Sequence, residues 1–428
     1  MNLLVNTRYN RWAALICVFL AGQGSVQILN LISGFLLLRW LSVEAYAQYS
    51  VAFGFQSTLG LLVELGFSGS ILALVGDRGF DKKVVGTYIR SVKYFRNRLL
   101  VVMFPIAAIA FGLLTSKQGW DWTTQLLLFV SIVSSVFFQG WVSYYSPPLL
   151  IHKQIKQLYK PQIISAIGRI ILCFLLYLTS TLTSWTTAWV SSAVIAVNGL
   201  LYQTSTKHLI DQPLDNDPKI NREILRYLGP LIPVIAFSAF QGQISLALIT
   251  IFGETKSIAE VAALGRLGQL FLILGAFNRV LVAPYIAKVN TENLAKKYFQ
   301  ILLGSVTIAA ILSAIAFVFP QSLLWILGSK YQNLTAEVGW VIAASSFGYV
   351  ANVLEVMNSS RQWIYWWGCS LEISLILIVQ IICISVMNLN QTIEVIYFSV
   401  IVAIAYGVVH LLIGSYGVWQ TYRIQKFL

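Results

Sequence analysis

Charged side chains are rare here, and chemistry is expected where they interrupt long apolar runs. Glu64 is the single formal charge between Glu44 and Asp77, and Arg169, Arg266 and Arg279 stand inside other apolar stretches. Arg266 lies about eight residues, or roughly 12 Å at helical rise, from one end of its run, near the middle of a bilayer. A charge at that depth costs about 2.5–3.5 kcal/mol, so it should face a bundle interior or water. On a functional reading, Arg266, Arg169 and Arg279 offer guanidinium groups to an anionic ligand. The planar fork donates paired hydrogen bonds to phosphate and stays charged. On a structural reading each is neutralised by an acid, with Glu64, Glu355 and Glu372 available, or reaches a head group. About 220° of helical turn separates Arg266 from Arg279 at 100° per residue, so one cavity need not hold both.

The same carboxylates are candidates for ion coupling, because a buried carboxyl can exchange a proton or bind a cation. Glu64 serves equally well as the partner of an arginine. Uncharged polar residues form two helical faces. Gln23, Gln27, Asn30 and Gly34 recur at i, i+4, i+7 and i+11, and Ser238, Gln241 and Ser245 at i, i+3 and i+7. Such faces either line a watered path or join helices by hydrogen bonds between small residues. No HExxH, P-loop, paired CxxC or GxSxG occurs, and His152, His208 and His410 are scattered. Cys17, Cys173, Cys369 and Cys383 sit in apolar runs without metal or redox spacing. We therefore expect no enzyme, no metal site and no cofactor.

The elements that must position these residues are transmembrane helices. The 428 residues are 57% hydrophobic and 11% charged, with a mean hydropathy of +0.75, whereas roughly 25% of a soluble domain is charged. Polar breaks divide the chain into spans near 12–38, 46–75, 99–115, 124–146, 161–181, 185–205, 228–252, 258–286, 298–319, 335–357, 364–387 and 393–420. The first run offers no small-x-small cleavage site and reads as a retained helix. Lys and Arg alternate in step with these spans. One side takes Arg8, Arg11, the 76–98 loop, the 147–160 loop, 206–227, 287–297, Arg361, Arg423 and Lys426, while the other holds Arg39, Lys117, Lys256 and Lys330. The positive-inside rule places both termini in the cytoplasm. The net charge of +13 is thus a topology signal with affinity for lipid head groups, not a nucleic-acid footprint. The expected fold is all-α, a polytopic membrane protein of about twelve helices. The polar segment 206–227 would link a lobe over 1–205 to one over 228–428, six helices each, as a parallel pseudo-repeat. Pro230, Pro233 and Pro284 would bend the seventh and eighth spans.

Short motifs add a resemblance. Arg39-Trp40-Leu41-Ser42-Val43-Glu44-Ala45-Tyr46-Ala47-Gln48-Tyr49, followed by Glu64-Leu65-Gly66-Phe67, resembles the R-x-L-s-x-e-x-y-G-x-Y … (D/E)-L-G-(L/F) pattern. That pattern opens the Wzx-type O-antigen and exopolysaccharide repeat-unit flippases of the multidrug/oligosaccharidyl-lipid/polysaccharide exporter superfamily. Ala259-Glu260, Pro284 and Leu324-Trp325-Ile326-Leu327-Gly328 look similar to that family's second half. Ala47 stands where the pattern has Gly, and Gln241-Gly242-Gln243 where the family often has a charge. The resemblance implies a protein of the bacterial cytoplasmic membrane that flips polyprenyl-diphosphate-linked oligosaccharide to the outer leaflet by alternating access. A polysaccharide polymerase and a chain-length regulator would be its partners. It also implies Arg266 as a diphosphate contact, with Arg169 second.

Three rivals remain open. A drug or cation antiporter of the same superfamily would carry acids rather than arginines in its cavity. A membrane glycosyltransferase or polymerase would need a sizeable outer loop, and every outer loop is short. A non-transporting scaffold of a polysaccharide assembly complex would not need Arg266 at all.

Overall fold

In the computed structural model the described residues are 2–211, 217–229 and 232–427, without the side chains of 2–20, 76–77, 280 and 424–427. The described chain is all-α and contains no strand. Its contacts divide it into two compact units, Met1–Ile251 and Phe252–Leu428.

The first unit holds α1 (Asn2–Trp40), α2 (Val43–Glu64), α3 (Phe67–Val75), α4 (Lys82–Thr115), α5 (Trp122–Ile151), α6 (Ile155–Leu178), α7 (Ser184–Thr206), α8 (Pro218–Leu228), α9 (Ile232–Gln241) and α10 (Ile244–Phe252). The second holds α11 (Thr255–Gly268), α12 (Leu270–Phe277), a π turn over Asn278–Val282, α13 (Ala283–Lys288), α14 (Thr291–Val318), α15 (Pro320–Leu327), α16 (Thr335–Ser360), α17 (Trp366–Val386) and α18 (Thr392–Phe427).

Local sequence explains where helices begin. Ser42 caps α2 by accepting from Ala45 N at 3.1 Å, and Asp81, Asp121 and Asp217 cap α4, α5 and α8. Thr183 and Thr186 form a reciprocal capping box on α7. The Asp81 cap corrects one sequence expectation. The 76–98 stretch is a loop only to its cap, and Arg90, Lys93, Arg96 and Arg98 belong to α4. Hydropathy marks where a helix meets lipid, not where its backbone starts.

Among the described residues ten helical segments are long and apolar enough to span a membrane, or eleven with α8 and α9 counted together as a bent pair. The chain is thus a multi-pass membrane protein. The expected span at 185–205 is the helix α7, less apolar than the others because of its Ser and Thr residues. Those hydroxyls are spent inside the unit. Ser192 Oγ lies 2.5 Å from Ser135 Oγ and donates to Ser131 O at 2.9 Å, and Ser184 Oγ donates to Gln48 Oε1 at 2.6 Å. Gly199 lets the helices approach, since a Cβ there would come within 2.7 Å of Trp141.

The region expected as the seventh span groups with the first unit, held by contacts to α2 and to the turn that follows α4. Thr58 Oγ1 donates to Ala239 O at 3.4 Å, and Gln118 Nε2 donates to Thr250 O at 2.8 Å. The break between α9 and α10 falls at Gly242-Gln243, and Gln243 packs against Gly54. Pro233 sits in the first turn of α9, where its missing N–H is no loss, and Pro230 lies outside the described residues. In the second unit the eighth span is interrupted twice, at Gly268–Leu270 and at the π turn, with Pro284 opening α13. A second small-residue seam joins α14 to α16 through Ser313 Oγ and Ser346 Oγ, 3.0 Å apart.

The α5–α7 seam makes a direct prediction. Ser192→Ala should cost only about 0.6 kcal/mol, the average for a hydrogen bond between membrane helices. Ser192→Leu should cost about 1–3 kcal/mol through overpacking. Thermal unfolding in detergent separates the two, and equal melting temperatures would refute the close packing.

Candidate functional site

Among the described residues of the first unit, the largest fully buried side chain is a cation. Arg96, on α4, is 1% exposed. Its Nε lies 3.3 Å from Glu64 Oε2 at the end of α2. Its Nη2 donates to Val136 O and its Nη1 to Tyr144 Oη at 3.4 Å, both on α5. Room for the guanidinium exists because residue 140 is glycine: a Cβ there would fall 2.0 Å from Arg96 Nη1. The other carboxylate oxygen of Glu64 accepts from Ser68 N at 2.8 Å and so starts α3. Between the helices Leu65 and Gly66 take positive φ, 40° and 81°. Glu64 therefore stands as the ion-pair partner of a buried arginine, one oxygen hydrogen-bonded to Ser68 N and the other facing Arg96 Nε by charge.

Next to this pair α4 carries a second cation. Lys93 Nζ lies 4.8 Å from the Tyr145 ring centre and 5.5 Å from that of Tyr144, and donates to Tyr145 Oη at 2.8 Å. Sequence reasoning counted Lys93 and Arg96 among loop charges. The signal that could have found them is the helical spacing of Tyr88, Val92 and Arg96, one face that continues into the apolar run. Arg169, on α6, is half-buried and donates through Nη2 to the hydroxyl of Tyr49, itself 1% exposed. Gln23 and Gln27 are half-buried and Asn30 is exposed on α1, while Gln241 is half-buried at the end of α9.

In the second unit Arg266 is 8% exposed. It lies in the last turn of α11, where the helix dipole favours a cation. Its Nη1 donates to Gln269 Oε1 at 3.3 Å, across the break into α12. Gly268 permits that break to sit against α16, since a Cβ would come within 2.6 Å of Ser345 Oγ. Arg279 is exposed, in the π turn.

The acids of this unit gather elsewhere. Glu372 Oε2 on α17 lies 3.9 Å from His410 Nε2 on α18, and Glu355 on α16 is within electrostatic reach of Glu372, His410 and Tyr406. Asn358 Nδ2 donates to His410 O at 2.8 Å, and Tyr298 Oη donates to Asn358 Oδ1 at 2.9 Å. Gly414 leaves space for this contact, because a Cβ would lie 1.9 Å from Tyr298 Oη. Two of the three expected coupling carboxylates thus share a neighbourhood with a histidine that the sequence left unassigned. Among the described residues no His, Cys, Asp and Glu group could hold a metal ion.

No protein-family model matches this sequence, and no curated protein matches it. Solved structures do. The chain is similar to a multidrug resistance MATE family transporter of the MOP superfamily in an inward-facing conformation, at TM-score 0.69 and 14% identity over 94% of this chain and 96% of that one. It is also similar to a MOP superfamily transporter from Pyrococcus furiosus with a binding pocket of reverse polarity, at TM-score 0.62 and 13% identity over 96% and 95%. A Vibrio cholerae MATE transporter mutant aligns at TM-score 0.59 and 13% identity over 94% and 95%. The chain has the fold of these transporters.

The Arg96 site is open to a double-mutant test. Removing one partner of a buried ion pair typically costs about 3–5 kcal/mol. Arg96→Met alone and Glu64→Gln alone should therefore each lower stability by about 3–5 kcal/mol, and the double variant should lose less than the sum. Strict additivity in detergent unfolding would show that the two charges do not depend on each other.

Proposed function

We propose that the protein is a transporter that moves polyprenyl-diphosphate-linked oligosaccharide from the cytoplasmic to the outer leaflet by alternating access, for cell-surface polysaccharide synthesis. The observation that carries this reading is the buried guanidinium of Arg266 at a helix break. A cation in a low-dielectric setting is expensive to keep, and binding a diphosphate is a reason to keep it. The half-buried cations Lys93 and Arg169 of the first unit support an anionic substrate, as do the motif order around Arg39–Tyr49 and the shared transporter fold. In this reading Arg266 is the diphosphate contact, Arg169 offers an anionic group a second guanidinium in its own unit, and Arg279 reaches a head group or substrate at its exposed turn. Gln23, Gln27, Asn30 and Gln241 line the path, and Glu355 and Glu372 carry the coupling ion.

A second reading has its own observation. Glu372, Glu355 and His410 form an acidic neighbourhood inside the second unit, as a drug or cation antiporter requires, and the similar structures include multidrug transporters. The difference lies in which charge meets the cargo.

Reconstitution into liposomes with a fluorescent polyprenyl-diphosphate sugar decides between them, the protected fraction being read with an added quencher. Wild type should move the probe, Arg266→Ala should slow it at least tenfold, and Glu372→Gln should abolish the response to an imposed pH gradient while leaving downhill exchange. Gradient-driven export of an organic cation by wild type and Arg266→Ala alike, with no movement of the lipid-linked sugar, would favour the antiporter.

A further inference from the structure

Helix α8 belongs to none of the sites above. Ile224 and Leu228 on it are 0% and 1% exposed, packed in the same apolar cluster as Phe67, Ile71, Val75 and Tyr88. The opposite side is basic. Lys219, Arg222 and Arg226 fall at i, i+3 and i+7, within about 60° of arc at 100° per residue. All three are exposed, and together with Pro218 and Glu223 they line a groove of about 360 Å³.

Glu223 is the acid of that groove, and its charge is engaged from the other direction. Its Oε2 accepts from Tyr88 Oη at 2.7 Å, and Arg78 Nη2 donates to the same hydroxyl at 3.3 Å. Asp217 already caps the helix N-terminus by accepting from Lys219 N at 2.8 Å. The groove therefore presents side-chain cations, not backbone amides, to whatever enters it.

We propose that this face of α8 binds the phosphate of an anionic phospholipid head group in the cytoplasmic leaflet. The charges are complementary, and the place is right. The helix is bent by 59° from α9, so it runs off the direction of the span that follows. The positive-inside distribution puts this end of the unit at the cytoplasmic surface. Leu225 and Tyr227, 47% and 40% exposed, flank the cationic arc. A soluble phosphate would gain nothing from them, whereas a lipid offers them glycerol and upper acyl chain. A bound lipid would hold the segment that joins α7 to α9 against the leaflet.

The test uses purified full-length protein, delipidated in neutral detergent and titrated with phosphatidylglycerol, phosphatidylcholine or inorganic phosphate, the adducts being counted by native mass spectrometry. Each cation near an anionic surface is worth about fivefold in affinity. K219Q/R222Q/R226Q should therefore weaken the tightest phosphatidylglycerol adduct roughly a hundredfold, while K288Q/K296Q/K297Q, basic residues of the second unit, should leave it within threefold. K219R should keep it, which separates loss of charge from loss of fold. The proposal is overturned if the triple α8 variant binds phosphatidylglycerol like wild type. It is also overturned if phosphatidylcholine binds as tightly, or if millimolar inorganic phosphate displaces the lipid, which would make the ligand a soluble anion.

Discussion

The first unit is built around a guanidinium that is shut off from solvent. Arg96 needs a counter-charge and hydrogen-bond acceptors, and each neighbour is shaped to provide one. Helix α2 stops at Glu64 so that its carboxylate can meet the arginine, and the chain accepts a left-handed Leu65 to do so. Helix α5 carries Gly140, which clears a place beside the Val136 carbonyl, and Tyr144 closes it one turn on. The α2–α3 break, the α4 register and the α5 face are thus one solution to a single electrostatic cost. A hydrophobic residue of similar volume would remove the cost and with it the reason for the break.

The two units treat charge differently. In the first, Glu64 at the end of α2 is paired with Arg96, which leaves Lys93 against its tyrosines and Arg169 against Tyr49. In the second, Arg266 lies at the α11–α12 break, while Glu372 and Glu355 keep company with His410. Within the second unit the cation and the acids stand on different helices, Arg266 on α11 and Glu355, Glu372 and His410 on α16, α17 and α18.

Much of this fold was legible because a bilayer imposes length and apolarity on every helix that crosses it. The spans around Glu64, Arg169 and Arg266 lie on helices, and the all-α class followed from composition. Less legible was whatever depends on packing. Arg96 looked like a loop charge, since the apolar run begins well after the backbone of α4 does and a buried ion pair is a tertiary event. His410 looked isolated, since its partner Glu372 is on another helix. The grouping of α9 and α10 with the first unit rests on Thr58, Gly54 and Gln118, none of which announces its partner in sequence.

The hydroxyl-rich helix α7 bears on how the protein is made. Ser184, Thr187, Ser191 and Ser192 are buried, and their hydrogen bonds lie along α5 and α2 or back to the helix itself. Taken alone, such a segment gains little from leaving the aqueous translocation channel for lipid, because its hydroxyls have no partners outside it. Its stability in the membrane is conferred by helices already synthesised. Chain order suits this dependence, since α2 and α5, which carry Gln48, Ser131 and Ser135, both precede α7.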